Sequence, residues 1–450
     1  MIDSAARDVA FAPARVAAGD GAAYALPLTA RSPEALRQLA AAYRDVLRDA
    51  MWSLHDVCLR AASRRVAHDH RVIAIGTSRD ELADALDGYV GTGGGLGVTT
   101  SPGAVPRPAR GPVFVFSGMG PQWWGMGQQL WRDEPVFRAV ITQCDAVMRR
   151  FAPWSLIDEM TRDEASSRIA DVEISQPANF ALQVALAALW RSWGVVPSAV
   201  VGHSIGEVAA VHVAGVLDLE EACRVIVHAS RLQQRLTGAG RIAAVGLGEA
   251  EAEARIAAAG LAGAVEVAAV NSPASVSLAG DTAALEALQR QIAASGVFAR
   301  MLPFRLPFHS HLMEPIRDEL LATLADLRTA RPRLALYSTV VGGAIAEVAI
   351  DHHYWWRNVR QTVRFSDAIA AIAAVGHDVF LEIGPHPVLG SLISDAARAR
   401  KKPTVVASLR RHSHERRGLL GSLASLYALG FAVDWHGVYP DGGRATSLRR

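Results

Sequence analysis

The stretch Ala199-Val200-Val201-Gly202-His203-Ser204-Ile205-Gly206-Glu207 constrains the fold more than any other in the chain. A small residue and two β-branched ones read as the end of a buried strand. A helical pattern follows through Val208, Val211 and Val213. Between them lies G-x-S-x-G, the nucleophile-elbow pattern. A sharp turn exposes the serine oxygen, and the flanking glycines let backbone and substrate approach closely. The helix N-terminus then aims free N–H groups, that of Ile205 among them, at a developing oxyanion. A strand before and a helix after favour catalysis over a chance match in a surface loop.

Around this elbow the chain divides into modules, as 450 residues require. Residues 1–21 are Ala/Gly-rich and unpatterned, a lead-in. A small α/β module follows. Its strands are Tyr24–Leu28 and His70–Gly76, and its helices run from Pro33 to about Asp49, from about Ser53 to Arg64 and from Asp80 to Tyr89. Ser32 stands at the N-cap of the first helix and Pro33 at its first position. Residues 91–112 are dense in Gly and Pro without periodicity and read as a linker.

The main domain opens with the strand Pro112–Phe116, which runs into Gly118-Met119-Gly120-Pro121-Gln122. Spacing alone balances two readings of that glycine-rich segment: a structural turn, or a second oxyanion donor at the Gln122 N–H. Helices are predicted at about 128–151, 175–192 and 220–236. Residues 241–303 then read β-α-β-β-α-β, the ferredoxin-like unit, inserted in the larger domain. Later strands fall at Leu334–Ser338 and Asp378–Ile383, and one amphipathic helix at 414–429 lies in an Arg-rich tail.

A serine nucleophile needs a base. Of 15 histidines, His309 stands out because it follows Pro307-Phe308 at a strand-to-helix turn. His311, two residues on, points elsewhere. His203 is adjacent to Ser204, so its ring faces away from the reacting oxygen and reads as a packing or hydrogen-bonding residue. No acidic third member is evident, and a carbonyl oxygen can orient the imidazole instead.

Charge and cysteines remove other classes. A net charge of +2, from 46 basic and 44 acidic residues, gives no reason to expect nucleic acid. Cys58, Cys144 and Cys223 form no metal or disulfide motif and suit a reducing compartment. No apolar run is long enough to span a membrane, and no secretion signal is visible, so a cytoplasmic location is expected.

Together these pieces resemble the acyltransferase domain of modular polyketide synthases, a branch of the malonyl-CoA:acyl-carrier-protein transacylase family. The matching motifs are Gly118–Gln122, Gly202–Gly206, Phe308-His309-Ser310, Tyr354–Arg360 and Glu382–Pro385. The resemblance implies Ser204 as nucleophile, His309 as base, Gln122 and Ile205 as oxyanion donors, and the Asn358 carbonyl orienting His309. It implies a ketosynthase-to-acyltransferase linker at 22–110, an acyltransferase domain at 111–399, and a post-acyltransferase linker at 400–450 that packs back on the first. The expected fold is therefore α/β: an α/β-hydrolase-like large subdomain, an inserted ferredoxin-like small subdomain at about 240–303, and a small α/β linker domain. Partners implied are acyl-CoA, an acyl carrier protein and a neighbouring ketosynthase. The substrate is an acyl-CoA or acyl-phosphopantetheine thioester, with no bound cofactor and no metal.

One departure bears on the substrate. Extender-unit members carry an Arg, 25 residues beyond the serine, that pairs with the free carboxylate of malonyl groups; here that residue, 229, is Ala. Arg231 lies about 200° further round the helix. Arg305 is the other cation near the base motif. A buried carboxylate without a cation is unfavourable by several kcal/mol, so Ala229 predicts a neutral, starter-type acyl group and extra room in the pocket. His203, Leu306 and Phe308 are further selecting positions. Ile205 and Phe308 resemble malonyl-type members, so a malonyl extender enzyme and a thioester hydrolase of the same fold are the alternatives. An α/β-hydrolase esterase shares the elbow, but it needs an acid between the serine and a late histidine. A non-catalytic docking module leaves the Ser204 and His309 motifs without a purpose.

Overall fold

Short apolar runs bounded by turns make the central sheet. The computed structural model describes residues 22–49, 51–63, 68–346, 349–398 and 402–440. The lead-in at 1–21 and the last residues, 441–450, lie outside the described residues. The six-stranded sheet runs Gly343–Ala344, Ala335–Ser338, Ala199–Gly202, Val113–Phe116, Val379–Ile383, Thr404–Ala407. All neighbours pair parallel except the short first strand. Val113, Phe114, Val115 and Phe116 are fully buried, as strands covered on both faces must be. Strand order reverses at Val113–Phe116, which pairs on one side with Ala199–Gly202 and on the other with Val379–Ile383. In sheets of this kind ligands bind beyond the carboxyl ends of the strands at that switch point.

The helix Val172–Ser192 lies against this end of the sheet and is buried along most of its length. Its few polar side chains have work to do on the glycine-rich segment. Asn179 Nδ2 donates to the Gly118 carbonyl at 3.1 Å, and Gln183 Nε2 donates to the Ser117 carbonyl at 2.6 Å.

The smaller sheet has the order Val265–Ser272, Ser275–Gly280, Arg241–Val245, Ala299–Met301, antiparallel throughout. With the helices Glu249–Ala258 and Thr282–Ala294 it forms the ferredoxin-like unit expected from the sequence. Val270 N–H donates to the Val363 carbonyl and Val363 N–H to the Ala268 carbonyl, both at 2.9 Å. These bonds tie the small subdomain to the segment after the helix His352–Arg360.

A three-stranded sheet at the N-terminal end packs against the C-terminal tail. Tyr439 Oη accepts from Ala25 N–H at 2.8 Å and donates to the Ala25 carbonyl at 2.6 Å. Buried Arg71 donates to the Tyr427 carbonyl at 2.9 Å, and its guanidinium lies over the Tyr427 ring.

Three expectations change. The stretch 91–112 is not all linker: the preceding helix runs on to Thr92, and Val98–Thr100 adds a third strand to the N-terminal sheet. The helix expected at 128–151 is two, Gln128–Asp133 and Pro135–Met148, because Pro135 starts a new helix at its first turn. Thr404–Ala407, assigned to the tail, is the edge strand of the main sheet.

Candidate active site

Ser204 follows the strand Ala199–Gly202 and precedes the helix Gly206–Val213. Its φ is 53°, in the left-handed region that L side chains rarely adopt. The turn packs tightly on the neighbouring strand only because residue 206 is glycine: a Cβ there would lie 2.4 Å from the Phe116 carbonyl oxygen. His309 also has a left-handed backbone, with φ 59°, between Leu306-Pro307-Phe308 and the turn capped by Ser310. The two side chains meet at 2.7 Å, Ser204 Oγ to His309 Nε2. His309 is buried, and desolvation, helped by the charges of His203 and Arg360, pushes its pKa down to about 3. The imidazole is thus neutral at pH 7 and able to accept a proton. His309 Nδ1 makes no hydrogen bond of ordinary geometry, while the Asn358 and Gln361 main-chain groups act on the ring to favour its protonated form.

Asn358 reaches the site in a second way. Its Nδ2 donates to the Ser204 carbonyl and to Glu207 Oε2, both at 3.2 Å. Fully buried Glu207 also accepts from Thr339 Oγ1 at 2.9 Å and from Tyr354 Oη, whose hydroxyl lies 2.7 Å from Ser338 Oγ. Burial pushes the Glu207 carboxyl up, against the pull of these hydroxyls. Glu207 therefore fastens the underside of the elbow to the helix that carries Asn358. Sequence reasoning missed it, because a glutamate in the first turn of a helix has an ordinary reason to be there.

A cavity of about 650 Å³, its open mouth included, stands over Ser204 between the two subdomains. Met119, Ile205, Phe308, Val359 and Asn358 line it from the large subdomain, and Ile242, Ala269, Ser277, Leu302 and Phe304 from the small one and its exit. His203 lines it too, but Nε2 is engaged by Asn271 Oδ1 at 2.8 Å and the ring lies 5.1 Å from that of Phe365. His203 is thus a packed, hydrogen-bonded residue, and His311 turns away to Glu266 at 3.1 Å.

Several expected site residues lie elsewhere. Gln122 does not line the cavity: its Oε1 accepts from Gly120 N–H at 2.7 Å and its carbonyl accepts from Arg411. The residue of that segment in the cavity is Met119. A Cβ on Gly118 would lie 2.8 Å from the His203 carbonyl oxygen, so the backbone before Met119 runs against the elbow. Among the described residues, the Met119 and Ile205 amides have no acceptor within the protein. The signal for Met119 was in the sequence: it stands between the two glycines, where backbone approach is closest. Leu306 is buried outside the cavity.

Ala229 is buried on the helix Leu219–Gln234 and does not line the cavity either, so its small size opens no extra room there. Gln233, one turn further on, does line it, with Gln176. Arg231 pairs with Glu319 on the surface, and Arg305 is exposed. No Arg or Lys is among the residues lining the cavity.

Comparison with known proteins fits this geometry. Residues 113–433 match the family model described as acyl transferase domain, and residues 24–86 match one described as CurL-like, PKS C-terminal. Over 426 residues the chain is 37% identical to erythronolide synthase EryA2 of Saccharopolyspora erythraea, covering 94% of this chain and 12% of that protein. It therefore spans about an eighth of that relative's length. The crystal structure of the acyltransferase domain from module 8 of the salinomycin polyketide synthase superposes with a TM-score of 0.85 at 33% identity, over 92% of this chain and 98% of that one. A loading acyltransferase from the avermectin modular polyketide synthase gives 0.67 at 37% identity, over 70% of this chain and 100% of that one. The chain belongs to the acyl transferase domain family, in the branch found in modular polyketide synthases.

Proposed function

We propose that the chain moves a neutral acyl group from an acyl thioester, through an ester on Ser204, to the phosphopantetheine thiol of an acyl carrier protein. The Ser204 Oγ–His309 Nε2 contact of 2.7 Å beneath the intersubdomain cavity carries this reading. Ser204 Oγ attacks the thioester carbonyl while its proton passes to His309 Nε2. The carbonyl becomes a tetrahedral oxyanion, for which the Met119 and Ile205 amides are the donors at hand. The C–S bond then breaks, and the thiolate takes the proton from His309 and leaves. In the second half the carrier thiol gives its proton to His309, attacks the ester and releases Ser204. Two thioesters are close in energy, so the exchange needs neither cofactor nor metal.

The neutral acyl group follows from the cavity lining. Without Arg or Lys there, and with both imidazoles pushed towards neutrality by burial, a carboxylate loses its water and gains no counter-charge. Similarity to a loading acyltransferase is consistent with a starter-type group. In this reading residues 22–110 join the domain to a ketosynthase, the tail from 400 packs back as a second linker, and the whole works in the cytoplasm. No described helix is long and apolar enough to cross a membrane.

Incubation with acyl-CoA and a carrier protein tests the transfer. Acylated carrier is the expected product. Free acid alone, with the carrier untouched, would make the chain a hydrolase.

A further inference from the structure

One wall of the cavity is chemically unlike the rest. Most of the lining is apolar, including Met119, Ile242, Leu302, Phe304, Phe308 and Val359. Gln176 and Gln233 interrupt it. They are 2% and 4% exposed, and they come from the two helices Val172–Ser192 and Leu219–Gln234. Gln176 Nε2 donates to Gln233 Oε1 at 3.2 Å. That single bond leaves the pair incomplete. Gln176 Oε1 is buried with no hydrogen-bond partner, and among the described residues Gln233 Nε2 has none. An orphaned amide acceptor and a spare amide donor thus sit together beside a cavity that carries no cation.

Buried amides left unpaired are rare, and each invites a partner. Here no neighbouring side chain supplies one, and both residues line the space that the acyl group enters, with Gln176 Oε1 just beneath the cavity surface, so that a turn of its amide brings the oxygen to the acyl group. We propose that Gln176 and Gln233 select the acyl group, and that the group preferred is short and ends in a neutral function that both donates and accepts, a primary carboxamide above all. The proposal rests on the reading of Ser204 as the acceptor of a neutral acyl chain. A carboxamide N–H answers Gln176 Oε1, and its oxygen accepts from Gln233 Nε2. A carboxylate brings acceptors only, so it sets lone pairs against Gln176 Oε1. A hydrocarbon end answers neither glutamine. Sites built to hydrogen-bond a substrate reject analogues that lack the group far more strongly than apolar pockets reject a change of size.

Three thioesters of nearly the same shape separate these cases. Malonamoyl-CoA ends in a carboxamide, malonyl-CoA in a carboxylate and isovaleryl-CoA in an isopropyl group. Competition between them, read as acyl-enzyme by intact mass and as kcat/KM, should favour malonamoyl by about tenfold or more over each of the others. Gln233→Leu should reverse the order of malonamoyl and isovaleryl, and its acylation by isovaleryl-CoA shows that the variant is folded. If isovaleryl matches or exceeds malonamoyl on the unmodified chain, the glutamine proposal is overturned while the neutral-acyl reading stands. If malonyl leads both, both readings fall. A Gln233→Leu enzyme that keeps the malonamoyl preference also overturns the proposal.

Discussion

Ser204 and His309, 105 residues apart, both hold left-handed backbones, at φ 53° and 59°, and join at 2.7 Å through Oγ and Nε2. Such a conformation costs on the order of 1–3 kcal/mol at each residue. It persists where surrounding contacts over-determine it. At Ser204 those contacts are the Phe116–Gly206 approach and the Asn358 amide on its carbonyl. At His309 they are the turn from Pro307 and the Ser310 hydroxyl, which donates to the Pro307 carbonyl at 2.7 Å. Two separate turns are thus bent so that one proton can move between them.

Removing the base isolates its contribution. His309→Ala should slow acylation of Ser204 by about three orders of magnitude or more, as loss of a triad-type base does. Single-turnover kinetics with a fixed acyl-CoA measures it. A loss under about tenfold would leave His309 a structural role only.

The depressed pKa of His309 sets the acid limb. With its pKa pushed down to about 3, the base stays neutral well below the ordinary histidine range. The single-turnover rate should therefore show no break near pH 6.5, and an inflection there would contradict a buried neutral imidazole. Stability should follow the opposite logic. The unfolded chain takes up this proton near pH 6.5 and the folded chain only near 3, so stability present above 6.5 is lost as pH falls towards 3. His309 alone weakens the fold by about 1.4 kcal/mol per pH unit in that window. His228, lowered to about 4, adds in the same direction. Glu382, raised to about 6, opposes them between pH 6 and 4.5, where the folded chain holds its proton and the unfolded chain does not. Thermal melts across pH 4–8 should show a net fall on the acid side.

Glu207 is the shared acceptor for Tyr354, Thr339 and Asn358. Glu207→Ala leaves Thr339 Oγ1 its Gly202 carbonyl and Tyr354 Oη its Ser338 hydroxyl, but strands one buried N–H of Asn358, at about 1–3 kcal/mol. The melting midpoint should drop by several degrees, and acylation should slow because Asn358 and the Ser204 carbonyl lose their anchor. Glu207→Gln should recover part of both. An unchanged midpoint in Glu207→Ala would show that the network carries no load.

The end of the tail is tied to the N-terminal sheet by the Tyr439 hydroxyl. Tyr439→Phe removes both bonds to Ala25, on the strand Tyr24–Ala30 at the edge of its sheet. Amide hydrogen exchange at Ala25 should quicken, and the melting midpoint should fall by a few degrees. Unaltered protection at Ala25 would mean that tail and sheet associate by other contacts.

The elbow was legible because its layout is local: an apolar strand end, two glycines about a serine, and a helix within nine residues. His309 was legible from the Pro-Phe turn before it. The β-α-β-β-α-β unit was legible because each strand and helix is short and cleanly bounded. What failed depended on distant partners. Val98–Thr100 lies in a Gly-rich stretch and is a strand because His70–Gly76 offers it an edge. Thr404–Ala407 carries too few residues to declare which sheet it joins. The break before Pro135 is an exception, since a proline at the first position of a helix is a local signal. The Gln122 N–H was weighed only against a structural turn, and Met119, between the two glycines, is the residue of that segment that lines the cavity. Ala229 drew attention to one helix position, while the cavity is lined by Gln233 a turn later. Helix phase alone does not say where a wall ends.

Acylation of Ser204 from a mixture is the most direct test. The unmodified chain is mixed with equal malonyl-CoA and a neutral acyl-CoA such as propionyl-CoA, and the adduct is weighed and mapped by peptide mass. The neutral acyl ester on Ser204 should dominate, and Ser204→Ala should show no adduct while melting as the unmodified chain does. A malonyl adduct ahead by tenfold or more, or a label that survives Ser204→Ala, would contradict the assignment of nucleophile and substrate.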